Sequence, residues 1–103
     1  MAAGVCTLIG QMAVRLVVTF DCLPGRGEAF VRAWDGRLQE VRTEPGCDQY
    51  ELFRGTERPD TVVLLETWSS RQTMDEHGKV NATRTPVGRD LLSGPPTVER
   101  YES

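Results

Sequence analysis

No apolar run in the chain is long enough to cross a bilayer, which argues against a membrane protein. No Lys/Arg cluster gathers anywhere; basic residues are scattered and mostly sit beside acids. With a net charge of -3 and a pI near 5.1, that argues against nucleic acid, because phosphate binding needs a basic patch. Cysteines number three, Cys6, Cys22 and Cys47, and no two are closely spaced. An odd, dispersed set supports neither a disulfide framework nor a zinc site, so no metal is expected. Reduced thiols imply a cytoplasmic protein. There is no Gly-rich phosphate loop, no Ser-His-Asp order and no carboxylate pair at a diagnostic spacing. Phosphate-bearing cofactors therefore have no evident cradle. Internal repeats and low-complexity tracts are also missing.

What remains is a chain of 103 residues, one domain by length, with 39% hydrophobic and 26% charged residues. Residues 1–12 are mildly apolar, and Met1 to Gln11 carry no Lys or Arg, unlike a signal peptide. They read as a disordered or partner-covering arm, with Met12 an alternative start. Residues 13–103 read as a single domain.

Val14 to Phe20 is β-branched and aromatic, a strand whose Val14, Leu16, Val18 and Phe20 share a face. Leu23-Pro24-Gly25-Arg26-Gly27 breaks it. From Glu28 to about Thr43, Phe30, Trp34, Leu38 and Val41 recur at helical steps and make one apolar stripe. Gly36 inside that helix suggests close packing on a sheet. Pro45 and Gly46 stop it. Cys47 to Arg54 and Thr61 to Trp68 are strands around a polar loop. Ser69 or Ser70 offers an N-cap to a short helix, Arg71 to His77, which Gly78 ends. Asn81 to Leu92, with Pro86 and Gly88, is at best a broken helix. Thr97 to Tyr101 is the last strand.

This order gives an α+β domain: a four-stranded, mostly antiparallel sheet with helices on one face. The third strand is apolar on both faces, since Val63 and Leu65 oppose Val62 and Leu64. One amphipathic helix covers only one face. The other face is expected to meet a second copy in a two-fold homodimer.

The run Glu44-Pro45-Gly46-Cys47, Tyr50-Glu51-Leu52-Phe53, then Val63-Leu64-Leu65-Glu66-Thr67-Trp68 and His77, resembles the antibiotic biosynthesis monooxygenase family. The resemblance covers roughly Val14 to Tyr101. It implies the ferredoxin-like dimeric α/β barrel, with a pocket between each sheet and its helices. It also implies oxygenation of an aromatic quinol or anthrone-like polyketide by dioxygen, without flavin, haem or metal. Other members with this signature are linked to isomerisation, so proton transfer on a small carbonyl or enol is the alternative. A ligand-binding dimer without catalysis is a third reading. Two departures stand out. Anthrone-oxygenating members carry an Asn four residues before the strand-end Trp, where this chain has Leu64. Haem-degrading members use an Asn on the first strand, where this chain offers Phe20, and a His further along the chain than His77; haem is rejected.

Three residues are the catalytic candidates. Trp68 closes a strand beside the apolar helix, and its indole N–H needs a partner if buried. Glu66 lies two residues earlier on the same face, and flanking by Leu64 and Trp68 would raise its pKa and make it a base. The competing reading for Glu66 is an ion pair to Arg84, to Arg100 or to a partner subunit. His77 is the only side chain of a type that titrates near neutral pH, and it shares a helix face with Met74. The substrate-binding candidates are Leu64, Phe20, Phe30, Trp34, Met74 and Arg84. Phe30 and Trp34 belong to the helix stripe and are core first, with either one also placed to roof the pocket. Arg84 or Arg89 loosely matches a family Arg before the last strand. Tyr50 is read as facing the dimer partner or packing on the sheet, and Cys47 as inert.

Overall fold

The computed structural model describes residues 12–102. The expected arm therefore lies outside the described residues, apart from Met12. Four strands and three helices follow in order: β1 (Val14–Asp21), α1 (Gly27–Ala33), α2 (Asp35–Arg42), β2 (Cys47–Arg54), β3 (Thr61–Trp68), α3 (Arg71–Asn81) and β4 (Thr97–Glu102), with a 3-10 turn at Arg89–Leu91. The sheet order is β2-β3-β1-β4, and every neighbouring pair is antiparallel. This is the α+β arrangement expected from the strand and helix order, and the ferredoxin-like fold that the family resemblance implies.

Alternation along the strands decides what is buried. Val14, Leu16, Val18 and Phe20 of β1 pack with Val62, Leu64 and Trp68 of β3 beneath Phe30, Trp34 and Val41. Fully burying side chains of this size contributes about 1.5–3 kcal/mol each. The opposite parity, including Val17, Val63 and Leu65, is half-buried, and Phe53 on the same face is 44% exposed.

Four local expectations need correction. The long helix is two, because Trp34 N–H donates to Val31 O three residues back, at 3.1 Å, and tightens the turn there. The apolar stripe survives the break, with Phe30, Trp34 and Val41 buried. Gly36 is not a close-packing site, since a Cβ there would meet nothing within 4 Å; it lies on the wet side. Gly78 does not end α3, which continues to Asn81. A glycine on an exposed helical face costs about 1 kcal/mol but does not stop a helix that has no need of positive φ. Finally, Asn81 to Leu92 is no two-piece helix. Once α3 ends it is an irregular strap with the single 3-10 turn, because Pro86 removes a donor and Gly88 takes φ +66°.

Long-range bonds fix the strap and the start of α1. Leu23 N–H donates to Leu91 O and Ser93 N–H to Asp21 O, both at 2.8 Å. Asp60, at the start of β3, accepts from Gly25 N–H and Gly27 N–H, both at 2.9 Å. Backbone approaches so closely there that a Cβ on Gly27 would sit 2.1 Å from Pro59 O.

Candidate functional site

A cavity of about 690 Å³ lies between the helix-facing side of the sheet, the α1–α2 junction and the strap. Val18, Phe20, Leu64 and Glu66 form its floor, on adjacent strands β1 and β3. Tyr50 adds a wall from β2, where it pairs with Glu66. Trp34 and Arg37 come from the α1–α2 junction and α2. The strap contributes Arg84, Pro86, Val87, Arg89, Leu92 and the Ser93–Pro96 turn.

The nine candidate residues divide between the cavity and its surroundings. Glu66, Leu64, Phe20, Trp34 and Arg84 line the cavity; Trp68, His77, Phe30 and Met74 do not. Trp68 is fully buried behind Glu66, to which its indole N–H donates at 3.0 Å. Its ring stacks on His77, with centroids 4.5 Å apart and planes at 26°. His77 Nδ1 lies 2.9 Å from Glu44 Oε1. Phe30 is buried one layer out, 4.9 Å from the Phe20 ring, with Gly88 pressed against it. Met74 packs at the edge of the core, where Arg100 Nη1 reaches its sulfur at 3.8 Å.

Glu66 is the unusual group. It is 6% exposed and has no basic partner among the described residues. Burial pushes its pKa above the ordinary carboxylate value; the Trp68 hydrogen bond and nearby His77 pull it down, and Glu44 pushes it up. The expected ion pair of Glu66 to Arg84 or Arg100 does not form. Arg84 instead reaches Glu40 Oε2 at 3.2 Å and Glu44 Oε2 at 2.7 Å. The Glu44 contact is close but poorly aligned for a hydrogen bond, so charge carries it more than direction. Trp34 Nε1 and Arg84 Nη1 are buried without a protein acceptor.

Of the two readings for Tyr50, the partner face is excluded and packing on the sheet is what the structure shows. It is 3% exposed on the helix side, against Trp34 at 6.3 Å and His77 at 5.7 Å between ring centroids. Burial pushes its phenol pKa well above the ordinary value, so it stays a neutral donor. Its pairing opposite Glu66 was the available signal. Glu44 was also missed as a site residue, because its place before Pro-Gly reads as a turn. Burial raises the Cys47 thiol pKa, in keeping with an unreactive cysteine. Among the described residues no group of three or more His, Cys, Asp or Glu side chains stands close enough to hold a metal ion. No helix among them is long and apolar enough to cross a membrane.

Residues 13–84 match the family model for antibiotic biosynthesis monooxygenases. The chain belongs to that family. Its curated relatives include the "Putative monooxygenase YcnE" of Bacillus subtilis (strain 168), 33% identical over 81 residues, which cover 77% of this chain and 85% of that protein. A solved structure from Nitrosomonas europaea, a "Putative antibiotic biosynthesis monooxygenase", superposes with a TM-score of 0.77. It is 22% identical over 91% of each chain, and so speaks to the fold alone. The Rv0793 structure from Mycobacterium tuberculosis is 27% identical, with a TM-score of 0.68, over 86% of this chain and 92% of that one. Within this monooxygenase-like family, the cavity floor here is apolar at Leu64, and its one carboxyl group is Glu66. The chemistry open to the site follows from that pair: a greasy slot holding a buried carboxyl group of raised pKa, walled by a phenol and a guanidinium.

Proposed function

We propose that this protein is a monooxygenase that adds one oxygen atom of dioxygen to an aromatic quinol or anthrone-like substrate, without a bound cofactor. The single observation behind the reading is Glu66, a buried carboxyl group on the floor of an apolar cavity, whose pKa burial raises. An electron-rich phenol, once deprotonated, passes one electron to dioxygen unaided. Recombination of the radical pair forms a carbon–peroxide bond. Breaking the O–O bond then needs a proton on the departing oxygen, which leaves as water while the ring carbon loses its hydrogen and becomes a carbonyl. Glu66 serves both transfers in turn: its carboxylate form takes the phenol proton, and the neutral form so made, which burial favours, returns that proton to the peroxide. Trp34 Nε1 and Arg84 Nη1 lack protein acceptors, and substrate oxygens would supply them. Trp68 would act only by holding Glu66 through its N–H, and Phe30 and Met74 by packing.

A homodimer completes the proposal. The sheet face bearing Val17, Val63, Leu65 and Phe53 has no helix over it among the described residues, and a second copy packed sheet to sheet would cover it. The reading keeps the protein in the cytoplasm.

The test is oxygen uptake by metal-free protein given 1,4-dihydroxynaphthalene or anthrone. Uptake above the buffer rate, one dioxygen per carbonyl formed, is the expected result, and Glu66→Gln should lower kcat by about 100-fold or more. Uptake equal to buffer with every quinol refutes it. Solvent deuterium entering a carbonyl or enol substrate without oxygen uptake would point instead to proton-transfer chemistry at the same carboxyl. Tight binding with no turnover would leave a ligand-binding dimer.

A further inference from the structure

Glu66 and Arg84 both line the cavity, yet they do not bond to each other. They are joined behind it. Glu66 Oε1 accepts from Trp68 Nε1 at 3.0 Å, and Trp68 stacks on His77 at 4.5 Å. His77 Nδ1 lies 2.9 Å from Glu44 Oε1, and Glu44 Oε2 lies 2.7 Å from Arg84 Nη2. The three middle residues do not touch the cavity. His77 is 5% exposed, so its contacts are with protein and not with water.

We propose that His77 is a positioning residue that couples the proton on Glu66 to the Glu44–Arg84 ion pair across the cavity. It rests on the cavity assigned above but concerns how the site is set, not which substrate it takes.

The groups facing the imidazole are few. Glu66 and Trp68 come from β3, Tyr50 from β2, and Glu44 from the turn after α2; Arg84 acts through Glu44. While Glu44 is a carboxylate, Nδ1 carries the hydrogen between them. A second proton on the ring makes that bond charge-assisted and draws Glu44 away from Arg84. The guanidinium is then less neutralised where it meets the cavity. The same charge lies over the indole face and favours the ionised form of Glu66. Without the second proton, Glu44 serves Arg84 and Glu66 keeps its proton. One proton is thus shared between the buried histidine and the cavity acid, and the anion-binding strength of the far wall follows it.

Two readouts test this without turnover. The carboxyl carbon resonance of Glu66, assigned by its loss in Glu66→Gln, is followed against pH in wild type and in His77→Gln. The midpoint should move up by about one pH unit in His77→Gln and stay in place in the exposed control Lys79→Gln. Affinity for 2-naphthoate reports on Arg84. It is read in Glu66→Gln, where the cavity acid no longer titrates: affinity should strengthen as pH falls, by on the order of fivefold or more, and in the double variant Glu66→Gln/His77→Gln that dependence should vanish. An unchanged Glu66 midpoint, or a naphthoate pH profile that survives in the double variant, overturns the proposal. If His77→Gln does not fold, wild type alone decides: Glu66 and His77 resonances should share inflections, as coupled groups do, and independent single-site curves refute the link. A failed oxygen assay leaves this coupling intact, and uncoupled titrations leave the oxygenase reading intact.

Discussion

At the scale of single residues, Glu66 makes a claim about stability as well as chemistry. Its folded pKa is raised by burial, so the folded state binds more protons than the unfolded one between the ordinary carboxylate value and the raised value. The protein therefore loses stability through Glu66 as pH rises across that window, and loses none below it. Glu66→Gln removes this loss. Urea unfolding at several pH values should show the variant gaining on wild type from acid towards neutral pH; a constant difference would mean that the carboxyl is not held neutral. Glu66 was legible in the sequence, because strand parity alone puts it between Leu64 and Trp68 on the face that the helices cover. Tyr50 was not. β2 has apolar residues on both parities, Tyr50 and Leu52 against Phe53, and its pairing with β3 shifts register between Cys47 and Gln49. Only the partner strand says which side is inside. Trp68 shows the opposite limit: its burial was foreseeable, but its partner was its own strand neighbour and not a ligand. Gly88 makes a second prediction. It has φ +66°, and a Cβ there would lie 2.9 Å from the Phe30 ring. Gly88→Ala should cost about 1–2 kcal/mol in urea unfolding, with the cavity roof disturbed.

Elements were easier to read where periodicity is strong and harder where their ends depend on distant groups. All four strands follow from β-branched and aromatic alternation. The α1–α2 break at Trp34 carries no Pro and no cap signal; it arises because the indole wedges among Phe20, Phe30 and Tyr50, a tertiary cause. The start of α1 is likewise set from elsewhere, since no side chain at Arg26 caps it. Asp60 does so from across the chain, and its two backbone N–H bonds hold its carboxyl below the ordinary range. A lowered folded pKa means stability that is present above the unfolded value and lost as pH falls through the folded one. Asp60→Ala should lower the thermal midpoint at neutral pH, and the gap to wild type should close in strong acid. At α3 the cap is local: Ser70 accepts from Thr73 N–H, and Thr73 Oγ1 accepts from Ser70 N–H. Ser70→Ala should cost about 1 kcal/mol by urea unfolding, because two donors at the helix start lose their acceptor geometry.

On the scale of the whole molecule, the helices leave one side of the sheet to be accounted for. Sheet pairing sets Phe53 beside Val63 and Thr19, and Leu65 beside Val17, in one contiguous surface. Val17, Val63 and Leu65 there are only half-buried. Glu51 and Glu99 flank the Leu65–Val17 row, so the centre of the face is apolar and its sides are charged. That layout matches an interface core with a polar rim better than a surface meant for water. A two-fold pairing would bring this patch against its own copy and remove Phe53 from solvent. Sedimentation across a concentration series should then show a dimer for wild type. Phe53→Asp places a charge on this apolar face at its β2 edge, so each dimer would gain two carboxylates there. The dimer Kd should rise at least about tenfold, a loss of about 1.4 kcal/mol. The cavity lies on the other side of the sheet, so naphthoate binding by Phe53→Asp tells whether the site is complete in one chain. Retained affinity in the monomeric variant means that the helices and strap alone build it; lost affinity means that the second copy holds the sheet in the shape the cavity needs.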